Sequence, residues 1–177
     1  MIHSSSVNAD SPIELNPAQA KFRREVLHPL KFKLFTFFKL PAVFFSGIRV
    51  INAEPMFCET TVPFKWLTQN PFRSTYFASL SMAAELCSGI LVMMATQGIK
   101  PRVSMLVVEM KAVFYKKAVK VTTFRCNDGD KIFKAVSSAI ESGEGREICA
   151  TSTGFSPEGE EVAKFDITWS FKQVSKT

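Results

Sequence analysis

The sequence predicts an α+β fold in which a largely antiparallel sheet wraps round one long central helix. Residues 74–99 carry a single charged side chain, Glu85, and are otherwise apolar or small. After this segment, hydrophobic residues recur at every second position, which is the period of a strand. A helix that is apolar on most sides must be covered by other elements, and the neighbouring strands are available to cover it.

A segment that we expect to be helical follows the first fifteen residues, which are polar. The pair Asn16-Pro17 is typical of a helix start, because asparagine caps the first turn and proline fits its first position. Pro29 ends that helix, and residues 30–40 predict a second one that ends before the next proline. We therefore predict a disordered polar tail at 1–15, an N-terminal helical arm at 16–40 and the main domain at 41–177.

Strands are expected on both sides of the central helix, which should run over residues 75–96. Its end is marked by Gln97-Gly98 and Pro101. The other elements that the pattern predicts are strands at 47–53, 56–62, 147–153 and 163–171 and a short helix at 131–140. Because tight turns join most of these strands, the sheet should be largely antiparallel.

Two further strands are expected directly after the central helix. Regular alternation from Leu106 to Phe114 predicts the first of them. Val119, Val121 and Thr123 predict that a second strand follows a turn near residues 116–117.

Charge is concentrated in one short part of the chain. The net charge is +6, and residues 21–40 hold six Lys and Arg against one Glu, a local +5. A protein that is basic in only one segment does not fit nucleic-acid binding. This Phe-rich segment predicts an amphipathic helix pair with solvated lysines, a weak membrane-surface contact through 21–40, or a site for an anionic cofactor tail.

The cysteines and histidines do not predict a metal centre. Four cysteines lie far apart without a CxxC pair, and the chain has only two histidines. Free cysteines and the lack of an apolar leader favour a reducing cytoplasm. Residues 74–99 are long enough to span a membrane, but their many small polar residues and a central carboxylate favour a core helix instead.

Glu85 is the strongest candidate for a functional residue. A buried carboxylate is costly unless it is hydrogen-bonded, paired or protonated. It therefore faces a wet pocket or meets a fixed donor, and both a functional and a purely structural role are open.

The segment from Asn70 to Glu85 resembles the signature of hotdog-fold acyl-CoA thioesterases, the phenylacetyl-CoA type in particular. In that family an Asn precedes the central helix, a Gly-Gly pair starts it, and an acid lies seven residues beyond the second Gly. Here Asn70, the pair Phe77-Ala78 and Glu85 fall at those positions. The resemblance covers roughly residues 40–171, and the added helical elements resemble a hotdog branch of unknown function.

The resemblance implies a role for each matching residue. Glu85 would act as general base or as nucleophile on a thioester, and Asn70 would position water or the substrate carbonyl. The backbone N–H groups of Phe77 and Ala78 would polarise the thioester oxygen, although Gly-Gly is replaced here. Ser88, one turn beyond Glu85 and close to its face of the helix, would contact and support the Glu85 side chain.

The resemblance also implies partners. The substrate would be an acyl-CoA or acyl-carrier-protein thioester, no cofactor or metal would be needed, and the protein would form a homodimer or a dimer of dimers with its site between subunits. The alternative is a non-catalytic hotdog protein that binds a fatty-acyl or lipid ligand. Cations that could contact coenzyme A are Arg73, Arg102, Lys116 and Lys117.

Overall fold

A computed structural model describes residues 13–174 of the chain. Most of the tail predicted to be disordered lies outside these residues, and 13–15 precede the first helix without regular structure. The helices are α1 Pro17–Leu27, α2 Pro29–Lys39, α3 Pro41–Ser46, α4 Phe77–Thr96 and α5 Gly129–Ser142, with a 3₁₀ turn at Trp66–Thr68. The strands are β1 Arg49–Ala53, β2 Cys58–Val62, β3 Val103–Phe114, β4 Thr122–Cys126, β5 Arg146–Phe155 and β6 Glu161–Gln173.

The six strands form one antiparallel sheet in the order β1-β2-β4-β5-β6-β3. The sheet curls round α4, which packs mainly against β2, β4, β5 and β6. By length and composition alone α4 could cross a membrane, but 67% of its most apolar window is buried within the fold. The α+β architecture that the sequence predicts is confirmed, with α4 as its core helix.

Side chains of the sheet donate hydrogen bonds to the backbone of α4. The hydroxyl of Thr60 on β2 donates to the Ala83 carbonyl and that of Ser152 on β5 to the Ala84 carbonyl, both at 2.8 Å. Both hydroxyls are fully buried. Breaking either hydrogen bond would leave a buried hydroxyl without a partner, which would cost about 1–3 kcal/mol of folding stability. These bonds hold the helix at one height and one rotation inside the sheet.

The strand predicted around residues 119–123 is wrong in its extent. Residues 115–121 form an irregular crossing, and β4 begins only at Thr122. Val119 and Val121 are exposed on that crossing. The chain leaves β3 at one edge of the sheet and enters β4 between β2 and β5, so these residues carry the chain across instead of pairing.

The N-terminal arm is joined to the end of α4. Asn16 caps α1 by accepting from the backbone N–H groups of Ala18 and Gln19, and its amide donates to the Gln97 carbonyl at 3.0 Å. The Gln19 amide donates to the Ala95 carbonyl at 3.2 Å. The helix start expected at Asn16-Pro17 is the start of α1, and this helix satisfies carbonyl groups that the end of α4 would otherwise leave unpaired.

One short helix of this region was not predicted. The segment Pro41–Ser46 forms α3, a helix too short to show a hydrophobic period, and Gly47 ends it with a positive φ of 72°.

The opposite edge of the sheet is a long strand without a neighbour among the described residues. Strand β3 pairs with β6 on one side only. Met105 and Met110 stand opposite the buried Phe171 and Ile167, so their side chains lie on the face that holds α4. Both methionines remain exposed, at 36% and 39%, because α4 contacts this edge strand only slightly.

Candidate active site on the uncovered face of the central helix

One stripe along α4 is not covered by the sheet. Ala78, Met82, Glu85 and Met93 keep partial exposure, whereas most other positions of the helix are buried. Their spacing places them on one side of the helix. The sequence predicted that Glu85 lies in a long apolar helix, and the structure adds that it lies on the one side left open.

The Glu85 carboxylate rests over Gly89, one turn further along the helix. A Cβ atom at Gly89 would lie 3.3 Å from Oε1 of Glu85 and 3.6 Å from the Trp169 ring. Within residues 13–174, no hydrogen bond or ion pair reaches this carboxylate. The missing side chain of Gly89 therefore makes room for a half-buried acid that keeps both oxygen atoms free.

Burial raises the pKa of Glu85 above its ordinary value of 4.5, because desolvation penalises the charged form. A carboxylate with a raised pKa is a stronger base than a solvated one. Glu85 thus has the electrostatic property that a general base needs.

Ser88 contacts the backbone and not the carboxylate of Glu85. Its hydroxyl donates to the Glu85 carbonyl oxygen at 3.1 Å and accepts from Nε1 of Trp169 at 3.0 Å. Trp169 on β6 is 5% exposed, so this pair fixes the helix against β6 directly beside Glu85.

The start of α4 presents backbone donors without partners. No side chain caps the helix at Tyr76. The N–H groups of Ser79 and Leu80 donate to the Tyr76 carbonyl, whereas those of Phe77 and Ala78 have no acceptor within the described chain. Free N–H groups at a helix N-terminus favour a negative oxygen. The Phe77 ring packs edge-on against Tyr76 at 4.8 Å.

Asn70 organises the loop that leads into α4. Its Oδ1 accepts from the backbone N–H groups of Phe72 at 3.0 Å and Ser74 at 3.1 Å, and its amide nitrogen donates to the Ser74 hydroxyl at 3.1 Å. The amide oxygen is therefore occupied, while an amide nitrogen has a second N–H to donate. In this loop Asn70 can act on a substrate as a donor.

A pocket of 550 Å³ lies between this loop and the end of β3. Its walls include Asn70, Phe77, Lys116 and Lys117, so the structure brings these four predicted site residues together. Lys116 pairs with Glu160 at 2.6 Å, and Lys117 has no ion pair within residues 13–174. Glu85 does not line this pocket.

The two predicted arginine contacts lie elsewhere. Arg73 is exposed on the Asn70 loop with a positive φ of 58° but does not line the pocket. Arg102 immediately precedes β3, at the end opposite Phe114, and a strand of that length spans on the order of 40 Å. Within one chain, Arg102 is therefore far from Lys116.

Comparison with known proteins places the chain in a family. Residues 30–171 match the family model described as a domain of unknown function, DUF4442. The chain belongs to the DUF4442 family. No curated protein matches it in sequence.

Solved structures show which fold this DUF4442 protein has. A probable thioesterase of unknown function from Pseudomonas aeruginosa is 21% identical over 90% of this chain and 99% of its own, with a TM-score of 0.68. A protein of unknown function from Chlorobaculum tepidum is 17% identical over 82% of this chain and 94% of its own, with a TM-score of 0.68. A thioesterase from Haemophilus influenzae is 14% identical over 81% of this chain and 90% of its own, with a TM-score of 0.55. These likenesses confirm the hotdog fold.

Two residues beside Glu85 were not singled out from the sequence of this DUF4442 protein. Trp169 is only one of many regularly alternating residues in β6, and nothing in the sequence links it to α4. Gly89 could have been found, because it follows Glu85 at the i+4 spacing that brings two side chains together on a helix.

We predict that Glu85→Gln stabilises the fold at neutral and mildly alkaline pH. The raised pKa of Glu85 means that the folded state binds a proton more tightly than the unfolded chain, so stability falls as pH rises through the folded-state pKa. Removing the charge removes that loss. Thermal unfolding should show a higher Tm for the variant at neutral pH and a difference that shrinks as the pH falls through the folded-state pKa toward 4.5.

The surface variant Glu141→Gln on α5 is the matched control, because it removes an exposed carboxylate outside α4, and it should not raise the Tm at neutral pH. A Tm difference between wild type and Glu85→Gln that grows on acidification would contradict this account of Glu85.

Proposed function

We propose that the protein hydrolyses acyl thioesters of coenzyme A or an acyl-carrier protein, with Glu85 as general base or nucleophile. The observation that supports this is the uncovered stripe of α4. Among residues 13–174, its half-buried carboxylate has no partner and the backbone N–H groups at its start have no acceptor. A base and an oxyanion-binding site are the two groups that acyl transfer to water requires.

Water and Glu85 together account for every proton and bond in the proposed hydrolysis. The Glu85 carboxylate takes a proton from water as the water oxygen bonds to the thioester carbon, and the negative charge moves to the carbonyl oxygen. The N–H groups of Phe77 and Ala78 stabilise that oxygen. When the C–S bond breaks, the proton held by Glu85 passes to the departing thiolate. In the nucleophilic alternative, the carboxylate bonds to the thioester carbon, the C–S bond breaks and the thiolate leaves. Water then hydrolyses the resulting anhydride: its oxygen bonds to the acyl carbon, the Glu85 carboxylate is released, and a water proton passes to the thiolate.

The replacement of Gly-Gly by Phe77-Ala78 leaves this scheme possible. The Phe77 ring packs on Tyr76, and the two backbone N–H groups stay without acceptors. Asn70 supports the same oxygen as a further donor through its amide nitrogen, and Lys117, with Lys116 beside it, offers positive charge to the phosphates of coenzyme A.

The distances along α4 favour a site shared by two copies of the chain. Ala78 and Glu85 are two turns apart on one side of the helix, which is about 10 Å along its axis. That distance exceeds the reach between a base and the oxyanion donors around one carbonyl group. If two copies place their α4 helices side by side in opposite directions, Glu85 of one copy approaches the helix start of the other.

The free edge of the sheet favours the same arrangement. A 12-residue strand whose outer edge has no neighbour among the described residues, and which exposes apolar side chains, is a strong site for strand pairing. Antiparallel pairing of β3 with a second β3 continues the sheet and covers Met105 and Met110 with the partner's helix. It also brings Arg102 of one copy toward the Lys116 end of the other. We therefore propose a homodimer through β3.

Purified protein should hydrolyse at least one medium-chain or aromatic acyl-CoA. Glu85→Gln should lower kcat by about 10²–10⁴-fold, which is the usual contribution of a general base. The measurement is release of free thiol from an acyl-CoA panel. Glu141→Gln should retain wild-type kcat, since it removes a similar charge away from α4.

An inactive wild type across a broad panel would contradict the proposal. Acyl ligand that co-purifies with both wild type and Glu85→Gln would then favour the non-catalytic lipid-binding alternative, because binding needs no base.

Met110→Lys should convert the homodimer into a monomer. A charge there is tolerated in one chain, where the side chain is 39% exposed, but would be buried between copies. Light scattering should give twice the chain mass of 19.8 kDa for wild type and the single mass for the variant. Leu106→Lys, on the opposite face of the same strand, should remain dimeric; a wild-type monomer would refute the dimer.

A further inference from the structure

Helix α2 presents an apolar face to solvent. Leu30, Leu34 and Phe38 are 72%, 61% and 69% exposed, and Phe37 beside them is 47% exposed. The spacing i, i+4, i+7 and i+8 places all four on one side of the helix. A surface helix normally turns such a face toward the core, but here the residues that face inward are others.

Other residues of α2 form the face that packs against the rest of the protein. Phe32 and Thr36 are buried, and the Thr36 hydroxyl donates to the Phe32 carbonyl at 2.9 Å. The helix packs mainly on α1 and α3. The four outward apolar residues are therefore surplus to the packing of this chain.

The exposed apolar surface continues past the end of α2. The rings of Phe37 and Phe44 lie 5.2 Å apart, and those of Phe44 and Phe45 lie 5.3 Å apart. Phe45 on α3 is exposed. We call the surface formed by Leu30, Leu34, Phe37, Phe38 and Phe45 the arm face. A contiguous exposed apolar surface of this kind marks a site that binds another protein, a ligand or a membrane.

Positive charges flank the arm face. Lys31 and Lys33 lie on opposite sides of the apolar stripe that begins at Leu30. On a helix of 3.6 residues per turn, the residue one position after Leu30 points to one side of it and the residue three positions after it points to the other. α2 holds a third lysine at its end and no acid. The nearest acid is Glu25 on α1, which lies 3.3 Å from Lys31. Lysines that border apolar side chains can extend their charge into the headgroup layer while the apolar groups insert below it.

Other occupants of the arm face fit less well. The proposed dimer edge is β3, whereas the arm lies against β1 at the other end of the sheet, so dimerisation through β3 leaves the face free. Residues 1–12 offer Met1, Ile2 and Val7 as their only large apolar side chains, which is too little to cover it.

We infer that the arm face docks on membrane surfaces that contain anionic lipids. The apolar residues of α2 and α3 insert into the boundary between headgroups and acyl chains, and the α2 lysines attract the lipid phosphates. A helix with lysines beside an exposed leucine and phenylalanine stripe has the chemistry of an interfacial helix. A second copy of the chain would offer no complementary negative charge from its own α2.

The test uses the full-length protein and sedimentation with two kinds of vesicle, phosphatidylcholine alone and an equal mixture with phosphatidylglycerol. Wild type should bind the mixed vesicles at least roughly tenfold more strongly, and added salt should reduce the difference. Leu34→Ser/Phe38→Ser should lower binding to the mixed vesicles by roughly tenfold or more. Thermal unfolding should verify that this variant is folded.

Leu106→Ser on β3 is the matched control, because Leu106 is as exposed as Leu34 but lies at the other edge of the sheet. It should bind vesicles like wild type. Wild type that stays in solution with the mixed vesicles would overturn the inference. So would an arm variant that still binds them, or one whose only change is a lower oligomeric mass, which would assign the arm face to contacts between copies.

Discussion

The burial of α4 is the constraint on which the rest of the structure depends. A 20-residue helix with one charge cannot be left in water, and the six strands and α5 are arranged around it. Buried hydroxyls from β2 and β5 bind its carbonyl groups, and Trp169 on β6 is joined to Ser88. Because these bonds set the rotation of the helix, they also determine which side stays uncovered, and that side carries Glu85.

The uncovered side of α4 and the free edge of β3 are two aspects of one feature. The helix contacts β3 much less than it contacts β2, β4 and β5, so β3 leaves apolar side chains exposed on the face that holds α4. A second copy would complete the sheet and the cover of α4 together. Under this account catalysis depends on assembly, since the oxyanion donors and the base meet only across the interface. The arm face, at the other end of the sheet, stays available for a membrane.

Sequence patterns predicted the elements better than their arrangement. The apolar length of α4, its single acid and the start of α1 all follow from local rules. The place of β4 between β2 and β5 does not, because Val119 and Val121 alternate although they only cross the fold. The roles of Asn70 and Ser88 were also beyond local rules, since Ser74 and Trp169 decide which of their polar atoms remain free. Under the proposed dimer, the donor that Glu85 meets belongs to a second chain, which no pattern within one chain can predict.

The most direct test of this account mixes two inactive variants. Glu85→Gln and Asn70→Ala each disable every site in their own homodimers. If each site takes Glu85 from one copy and Asn70 from the other, mixed dimers contain one intact site. Random re-pairing after reversible unfolding should then restore about a quarter of wild-type thioesterase activity. Activity that stays at the level of the separate variants, although mixed dimers have formed, would contradict the shared site.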